Sequence, residues 1–510
     1  MMKKTLCFLA LLFAAAGQTV GAESVSINSQ PNALSLKDCI EMALRNNLEL
    51  RIERYNPQLA LFDLNAARGG YDPVARGNAE HDNRTQGRRL DELGQVVPSY
   101  ESTQNNYGAG VGGLLPWGMT YDFAANLSPQ TGERIVFNPA TSNYFKLPLE
   151  SSYGDVRMRL TQPLLKNFWI DGTRLSISTA KLRLKSSEQG LRQKIMEVVT
   201  RVETAYYDLL YARKSVVVQE QALTLTRRQV QEYQKKLEVG SIAKLDLTQA
   251  EAQASSTEAD LLTAQRNLDI QMNALKKLLS DNFAAWAATP LEPIGELTAE
   301  RQFFNRQESW SKGLMLRPDL LQARMEVERS GLQVKYDKNQ LLPQLDLIGS
   351  YGLTGSGITS GNALNQLTSR DQPYWAIGGQ ITFPIGNRSA RSRYAASRAV
   401  ADQTLLALKR LEQDILVQID DAIKQAQSSY DRVLATRKAV EYSREAFEGE
   451  QKKLEQGAST AFQVLRLQRD LTSAQSDEIR ALAEYQKALA YLAQFEGSTL
   501  ERRGIDLSIY

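Results

Sequence analysis

Histidine and cysteine are nearly missing from this 510-residue chain: His81 is the one histidine, and Cys7 and Cys39 are the two cysteines. A His-based catalytic triad or a His/Cys zinc site has almost nothing to draw on. An excess of one charge is missing too. The 61 basic and 58 acidic residues leave a net charge of +3, which gives no nucleic-acid footprint. After the first segment no stretch is apolar for 18 residues, so membrane-spanning helices are not expected. No phosphate-binding glycine motif opens a helix. The adjacent acids Asp420-Asp421 and Asp477-Glu478 point to different sides of a helix and read as solvated surface. We therefore expect no catalytic residue, cofactor or metal, and no enzyme.

Lys3 and Lys4 precede the 11-residue apolar run Leu6–Ala16, and Val20-Gly21-Ala22 follows. Residues 1–22 read as a secretory signal peptide. Cys7 would leave with it, so Cys39 has no partner for an intramolecular disulfide. An exported chain without apolar helices is free in the periplasm or medium, or crosses an outer membrane as a β-barrel.

Proline is absent from two stretches of 126 residues each, between Pro163 and Pro290 and after Pro384. Both carry narrow apolar stripes at helical spacing: Ile195, Val198, Val199, Val202, Tyr206 and Leu209 in one, Leu405, Leu408, Leu411, Ile415, Ile419 and Ile423 in the other. Such stripes on charged helices indicate coiled-coil-like packing. The stretches are copies. Gln234-Lys235-Lys236-Leu237-Glu238-Val239-Gly240 recurs as Gln451-Lys452-Lys453-Leu454-Glu455-Gln456-Gly457, and Leu44-Arg45-Asn46-Asn47-Leu48 echoes Leu316-Arg317-Pro318-Asp319-Leu320 at an offset of 272.

The chain thus divides into a first repeat, 23–313, with helix 40–69, strands within 73–162, long helix 176–239, helix 246–279 and linker 280–313. The second repeat, 314–496, has helix 314–341, strands 344–353 and 375–383, long helix 387–455 and helix 463–495, followed by a tail, 497–510. Pro57 should bend the first helix. The short helices 40–69 and 246–279, with 30 and 34 residues, together match the 64 of 176–239, so two short helices stacked end to end could run beside each long one.

The strand regions alternate with period two, as in Tyr121, Phe123, Ala125 and Leu127 against Asp122 and Asn126. One aromatic-rich apolar face suits a transmembrane barrel; a soluble sandwich is the other reading. Barrels need about eight strands, so several chains must share one. The first repeat carries about 49 more residues between its prolines than the second. We expect these to add a hairpin: 73–84 up, loop 85–102 outside, 103–115 down, a Pro116-Trp117-Gly118 turn inside, 118–128 up, loop 129–150 outside and 151–162 down. That makes six strands per chain. The rival view folds the hairpin outside the membrane as a cap, leaving four.

This pattern resembles the TolC-like outer-membrane efflux and secretion channel family over about 36–496. The resemblance rests on the duplication, on Leu36-Lys37-Asp38-Cys39-Ile40-Glu41-Met42-Ala43-Leu44, on Leu160-Thr161-Gln162-Pro163-Leu164-Leu165, and on Val239-Gly240-Ser241 followed by Leu245-Asp246-Leu247-Thr248-Gln249-Ala250. It implies a mixed fold: long α-helical coiled-coil hairpins forming a periplasmic tunnel, plus an antiparallel transmembrane β-barrel completed by trimerisation, usually with 12 strands. It implies a homotrimer in outer-membrane lipid of a Gram-negative-type cell, with a large periplasmic portion. Such a protein is a passive exit duct that docks to a periplasmic adaptor (membrane fusion) protein and an inner-membrane transporter. The implied adaptor-contact tip is Gly240, Ser241, Ile242, Ala243, Gly457, Ala458, Ser459 and Thr460. Relatives narrow the pore with acids six and nine residues after the second glycine; here those positions are Gln463 and Arg466. Arg466 either lines the pore or pairs with Asp470 on the helix face. The alternative function is a structural coiled-coil envelope protein without transport activity.

Overall fold

The computed structural model describes residues 32–141 and 143–505; the expected signal peptide lies outside them. The chain opens with β1 (Asn32–Leu34), α1 (Leu36–Asn46), α2 (Leu48–Glu53) and α3 (Tyr55–Arg68). One helix was expected over 40–69, and it is divided at two places. Asn47 leaves helical geometry (φ −62°, ψ 121°) and caps α2, its Oδ1 accepting from the Glu49 N–H at 2.9 Å. Pro57 has no N–H for the Glu53 carbonyl, and the ladder is interrupted at Arg54 while the backbone there stays helical (φ −61°, ψ −21°).

Next come β2 (Val74–Gln86), the small hairpin β3 (Arg89–Leu90) and β4 (Val96–Val97), β5 (Tyr100–Leu114), β6 (Thr120–Asn138) and β7 (Asn143–Pro163), then α4 (Gly172–Glu238) and α5 (Lys244–Leu279). Segment 129–150 is not the expected loop. β6 and β7 stay paired as far as Asn138↔Asn143, helped by the cross-strand contact of Phe137 and Tyr144, ring centroids 5.1 Å apart. The expected loop 85–102 carries the β3–β4 hairpin, which is tied to this arm where the Tyr144 hydroxyl donates to Asp91 at 2.7 Å.

The second half contains α6 (Phe283–Trp286), β8 (Leu291–Pro293), α7 (Arg306–Leu316), α8 (Pro318–Asn339), β9 (Gln344–Gly357), α9 (Ser360–Ser369), β10 (Pro373–Thr382), α10 (Arg388–Glu455), α11 (Ala461–Glu496) and α12 (Thr499–Arg503). The expected helix 314–341 is divided at Arg317, which is extended (φ −66°, ψ 122°), with Pro318 opening α8. Hence α7 begins inside the expected linker. Leu50 and Leu320, each three residues past its break, are both fully buried. The breaks at Asn47 and Arg317 are 270 residues apart, so the Leu-Arg echo at 272 is out of structural register by two. Helix α9, between β9 and β10, had no counterpart in the sequence reading.

Short helices do stack end to end along each long one. The Asn46 and Asn47 side-chain amides donate to the Leu279 and Leu278 carbonyls at 3.4 and 3.0 Å. The end of α5 thereby meets the start of α2, and α2, α3 and α5 all pack on α4. Arg317 Nη1 donates to the Phe495 carbonyl at 3.4 Å, joining the end of α11 to the start of α8 beside α10. With 67 and 68 residues, α4 and α10 are each about 100 Å long.

The main core sits around the middle of α4, where Val198, Val202 and Leu209 meet Leu44, Leu279 and Tyr485. The parallel pair β1–β8 closes over it, and the Tyr206 hydroxyl donates to the Ile294 carbonyl just beyond β8. The α10 stripe is only partly covered: Ile415 and Ile419 are buried, whereas Leu405 is exposed.

Candidate functional site

The two glycine turns share one end of the molecule. At the first, the Gly240 N–H donates to the Leu237 carbonyl at 2.9 Å and the Ser241 N–H to the Lys236 carbonyl at 2.8 Å; at the second, Gly457 donates to Leu454 at 3.1 Å and Ala458 to Lys453 at 2.9 Å. This paired pattern is the Schellman stop, which needs a left-handed residue. Both glycines have φ of 75°, and an added Cβ would meet nothing within 4 Å. Conformation, not space, therefore selects glycine. After the first turn the Asp246 carboxylate accepts from the Ala243 N–H at 3.2 Å and starts α5. Tyr233 of α4, Ala250 of α5, and Ala461 and Leu465 of α11 pack together beneath both turns, with Leu454 of α10 against them.

Of the sequence-selected tip residues, Gly240, Ser241, Ala243, Gly457, Ala458 and Thr460 are exposed. Two are engaged internally. Ile242 is half-buried against the apolar cluster. Ser459 donates to Glu450 Oε1 at 2.5 Å; that bond and the Lys453 ammonium hold the Glu450 carboxyl below its usual range. Sequence reasoning missed Val239, Leu245 and Phe462, apolar residues that stay 78%, 66% and 56% exposed around the turns. The available signal was apolar character beside a helix stop, off the buried stripe.

Gln463 and Arg466 lie exposed on the first turns of α11. Arg466 makes no salt bridge with Asp470, nor with any other carboxylate among the described residues. It lines a cleft of about 340 Å³ between α5 and α11, with Gln249, Gln253, Phe462, Leu465 and Arg469.

At the far end from the turns is a six-stranded sheet in the order β2-β5-β6-β7-β9-β10, every pair antiparallel. The pairing places Ala75, Val111, Phe123, Met158, Tyr351 and Trp375 side by side across all six strands. From Val111 onward these are exposed. The alternate positions are polar on the other face: Arg76, Asn78, Asp122, Asn126, Asp155, Arg157 and Arg159. Arg76 pairs with Asp122, and Asn126 Nδ2 donates to Asp155 at 3.2 Å. An apolar band outside and charges inside are the two faces of a membrane barrel wall. This alternation accounts for most of the polarity of 73–84: Arg76, Asn78, Glu80 and Asp82 share the polar face while Ala75, Gly77 and Ala79 lie on the apolar one, and His81, which continues the apolar face past Ala79, meets Asn105 of β5 at 2.6 Å.

The outer membrane efflux protein family matches residues 152–280 and 311–498 of the chain. The alkaline protease secretion protein AprF of Pseudomonas aeruginosa is 24% identical over 69% of this chain and 70% of its own. Outer membrane protein TolC of Vibrio cholerae is 22% identical over 75% and 85%. Among solved structures, the outer membrane protein VceC from Vibrio cholerae superposes with a TM-score of 0.65 at 19% identity, covering 91% of this chain and 96% of that one. The outer-membrane channel OprN gives a TM-score of 0.65 at 17% identity, covering 91% and 90%. With an amphipathic antiparallel sheet at one end and long paired helices running from it, the chain belongs to the outer membrane efflux protein family, as an outer-membrane channel with a large periplasmic helical part.

Proposed function

We propose that the protein is a homotrimeric, passive exit duct in a tripartite efflux or type I secretion system. The observation that carries this reading is the open sheet: its two edges, β2 and β10, have no partner strand among the described residues, and a membrane wall of six strands cannot close alone. The helices support the same assembly, because Leu406, Val417 and Tyr442 of α10 are exposed and lie within about 20° on the helical wheel, a flank for a neighbouring copy. In this reading 23–313 and 314–496 are two copies of one unit. No step of transport requires a catalytic group. A purely structural envelope role is not favoured, since a scaffold has no use for a lipid-facing apolar band.

The tip residues Gly240, Ser241, Ala243, Gly457, Ala458 and Thr460, with Val239, Leu245 and Phe462, meet a periplasmic adaptor, which links the duct to an inner-membrane transporter; Ile242 and Ser459 shape that surface from within. Gln463 and Arg466 border the mouth, and three copies of Arg466, which has no carboxylate partner among the described residues, would set a positive potential there. The test is sedimentation in detergent together with planar-bilayer recording. Three chains per particle and discrete conductance steps are expected; a stable, non-conducting monomer refutes the duct. Arg466→Asp should then shift selectivity toward cations, and unchanged selectivity moves Arg466 off the pore.

A further inference from the structure

We infer that the barrel of this channel is built from 18 strands and is wider than the tunnel that feeds it, so that its outer-membrane segment admits cargo of larger cross-section than a four-strand-per-chain wall would. The inference rests on the trimeric reading above, in which three copies of the six-stranded sheet give 18 strands where three four-stranded sheets would give 12.

Four observations carry it. First, the additional hairpin β5–β6 occupies the interior of the sheet: β5 pairs with β2 on one side, and β6 with β7 on the other. It cannot be lifted out as a cap without separating β2 from β7. Second, the hairpin shares the apolar band. Val111 and Phe123 stand in the same row as Met158, Tyr351 and Trp375, and a cap in water would have no reason to extend that row.

Third, its polar face continues the wall's other side. Asp122 of β6 meets Arg76 of β2 across β5, and this reach is possible because β5 has glycine there; a Cβ on Gly110 would lie 3.2 Å from Arg76 Nε and 2.9 Å from the Phe123 carbonyl. Fourth, the tight turn of the hairpin is at the helical end. Leu115 and Met119 close it at 2.8 Å, Gly118 has φ of 90°, and a Cβ on Gly118 would stand 2.5 Å from Arg174 Nη2 and 3.2 Å from the Asn167 carbonyl, at the root of α4.

Strand direction is consistent with closure. Six alternating strands put β10 of one copy antiparallel to β2 of the next. Only β2, β7, β9 and β10 run into helices; β5 and β6 end at the Pro116-Trp117-Gly118 turn. The helical tunnel therefore gains nothing from the hairpin, while the barrel gains two strands per chain. Barrel diameter grows roughly linearly with strand number, so the barrel is about 1.5-fold wider than a 12-stranded one, and the turn forms a ledge where the two gauges meet.

Two measurements test this on the full-length trimer. Polyethylene glycols of graded size, added from the extracellular side in planar bilayers, report the largest polymer that enters the barrel. Removing residues 100–138 deletes one upward and one downward strand and should lower that limiting radius by about a third; an unchanged limit overturns the inference. Independently of whether that variant folds, Trp117→Cys and Ala140→Cys chains are exposed in intact cells to a maleimide too large to reach the periplasm. Ala140, between β6 and β7, should label and Trp117 should not. Labelling at Trp117 places the hairpin outside the membrane and overturns the inference. Absence of trimers and conductance in the unaltered protein refutes the assembly reading instead.

Discussion

Placing arginine on the apolar band tests the orientation of the sheet. Phe123 lies in β6 between Val111 and Met158 on the exposed apolar face. Tilted strands advance about 2.6 Å per residue along the membrane normal, so an apolar band about 25 Å tall takes up roughly ten residues. Counted from Thr120, where β6 leaves its turn, Phe123 is about 4 Å from the centre of that band. A charged side chain near the midplane costs about 2–4 kcal/mol, so Phe123→Arg should destabilise each chain by about that amount. The control is Thr354→Arg on the polar face, where Thr354 is paired with Asp155. Its cost should stay below about 1 kcal/mol, because the new charge faces a carboxylate and water. Urea unfolding in lipid vesicles, followed by tryptophan fluorescence, measures both. A loss below about 1 kcal/mol for Phe123→Arg, or an equal loss for the two variants, refutes the assignment of faces.

Three further outcomes follow from the helical part. Glu203 is 3% exposed and its Oε1 accepts from Arg503 Nε at 2.6 Å, so Arg503→Ala should cost about 3 kcal/mol by stranding the carboxylate, while the double variant with Glu203→Gln recovers most of the loss in a denaturation series. Arg201 and then Lys194 hold the Glu49 carboxyl at about 2, against 4.5 ordinarily. A lowered folded-state pKa contributes stability above the ordinary value that is lost as pH falls toward 2, and, because Glu49 is 44% exposed, screening reduces the contribution to about 1 kcal/mol; a Glu49→Gln variant with the same stability profile between pH 4.5 and 2 would contradict this. Burial pushes the Cys39 thiol up to about 12, so the native protein should resist a small maleimide that reacts at once in denaturant.

How far the sequence reached depends on the range of the interaction involved. The tip was legible because a Schellman stop is local: a Lys-Lys-Leu-Glu run and a glycine decide it within six residues. The hairpin β5–β6 was legible from period-two alternation and one Pro-Trp-Gly turn. The division of the first helix at Asn47 was not, because an asparagine ends a helix only when something rewards it. Here the reward comes from the Leu278 carbonyl, 231 residues away. The β6–β7 arm was not legible, because Pro129 and Pro148 within it are poor strand formers; cross-strand pairing from Pro129↔Ser152 to Asn138↔Asn143 holds it extended despite them.

By itself the sequence determined the inventory: proline-free heptad stripes, duplicated glycine turns, and alternating strands too few to close a barrel. These are periodicities of the chain with itself, and short-range sterics and burial enforce them. Only the tertiary structure decided which neighbours each element has. It put β5 and β6 inside the sheet instead of above it, set Arg76 over Gly110 to reach Asp122, and left Arg466 without a carboxylate among the described residues while Ile242 turned inward. Those outcomes depend on contacts between residues tens to hundreds of positions apart, for which the one-dimensional pattern holds no register.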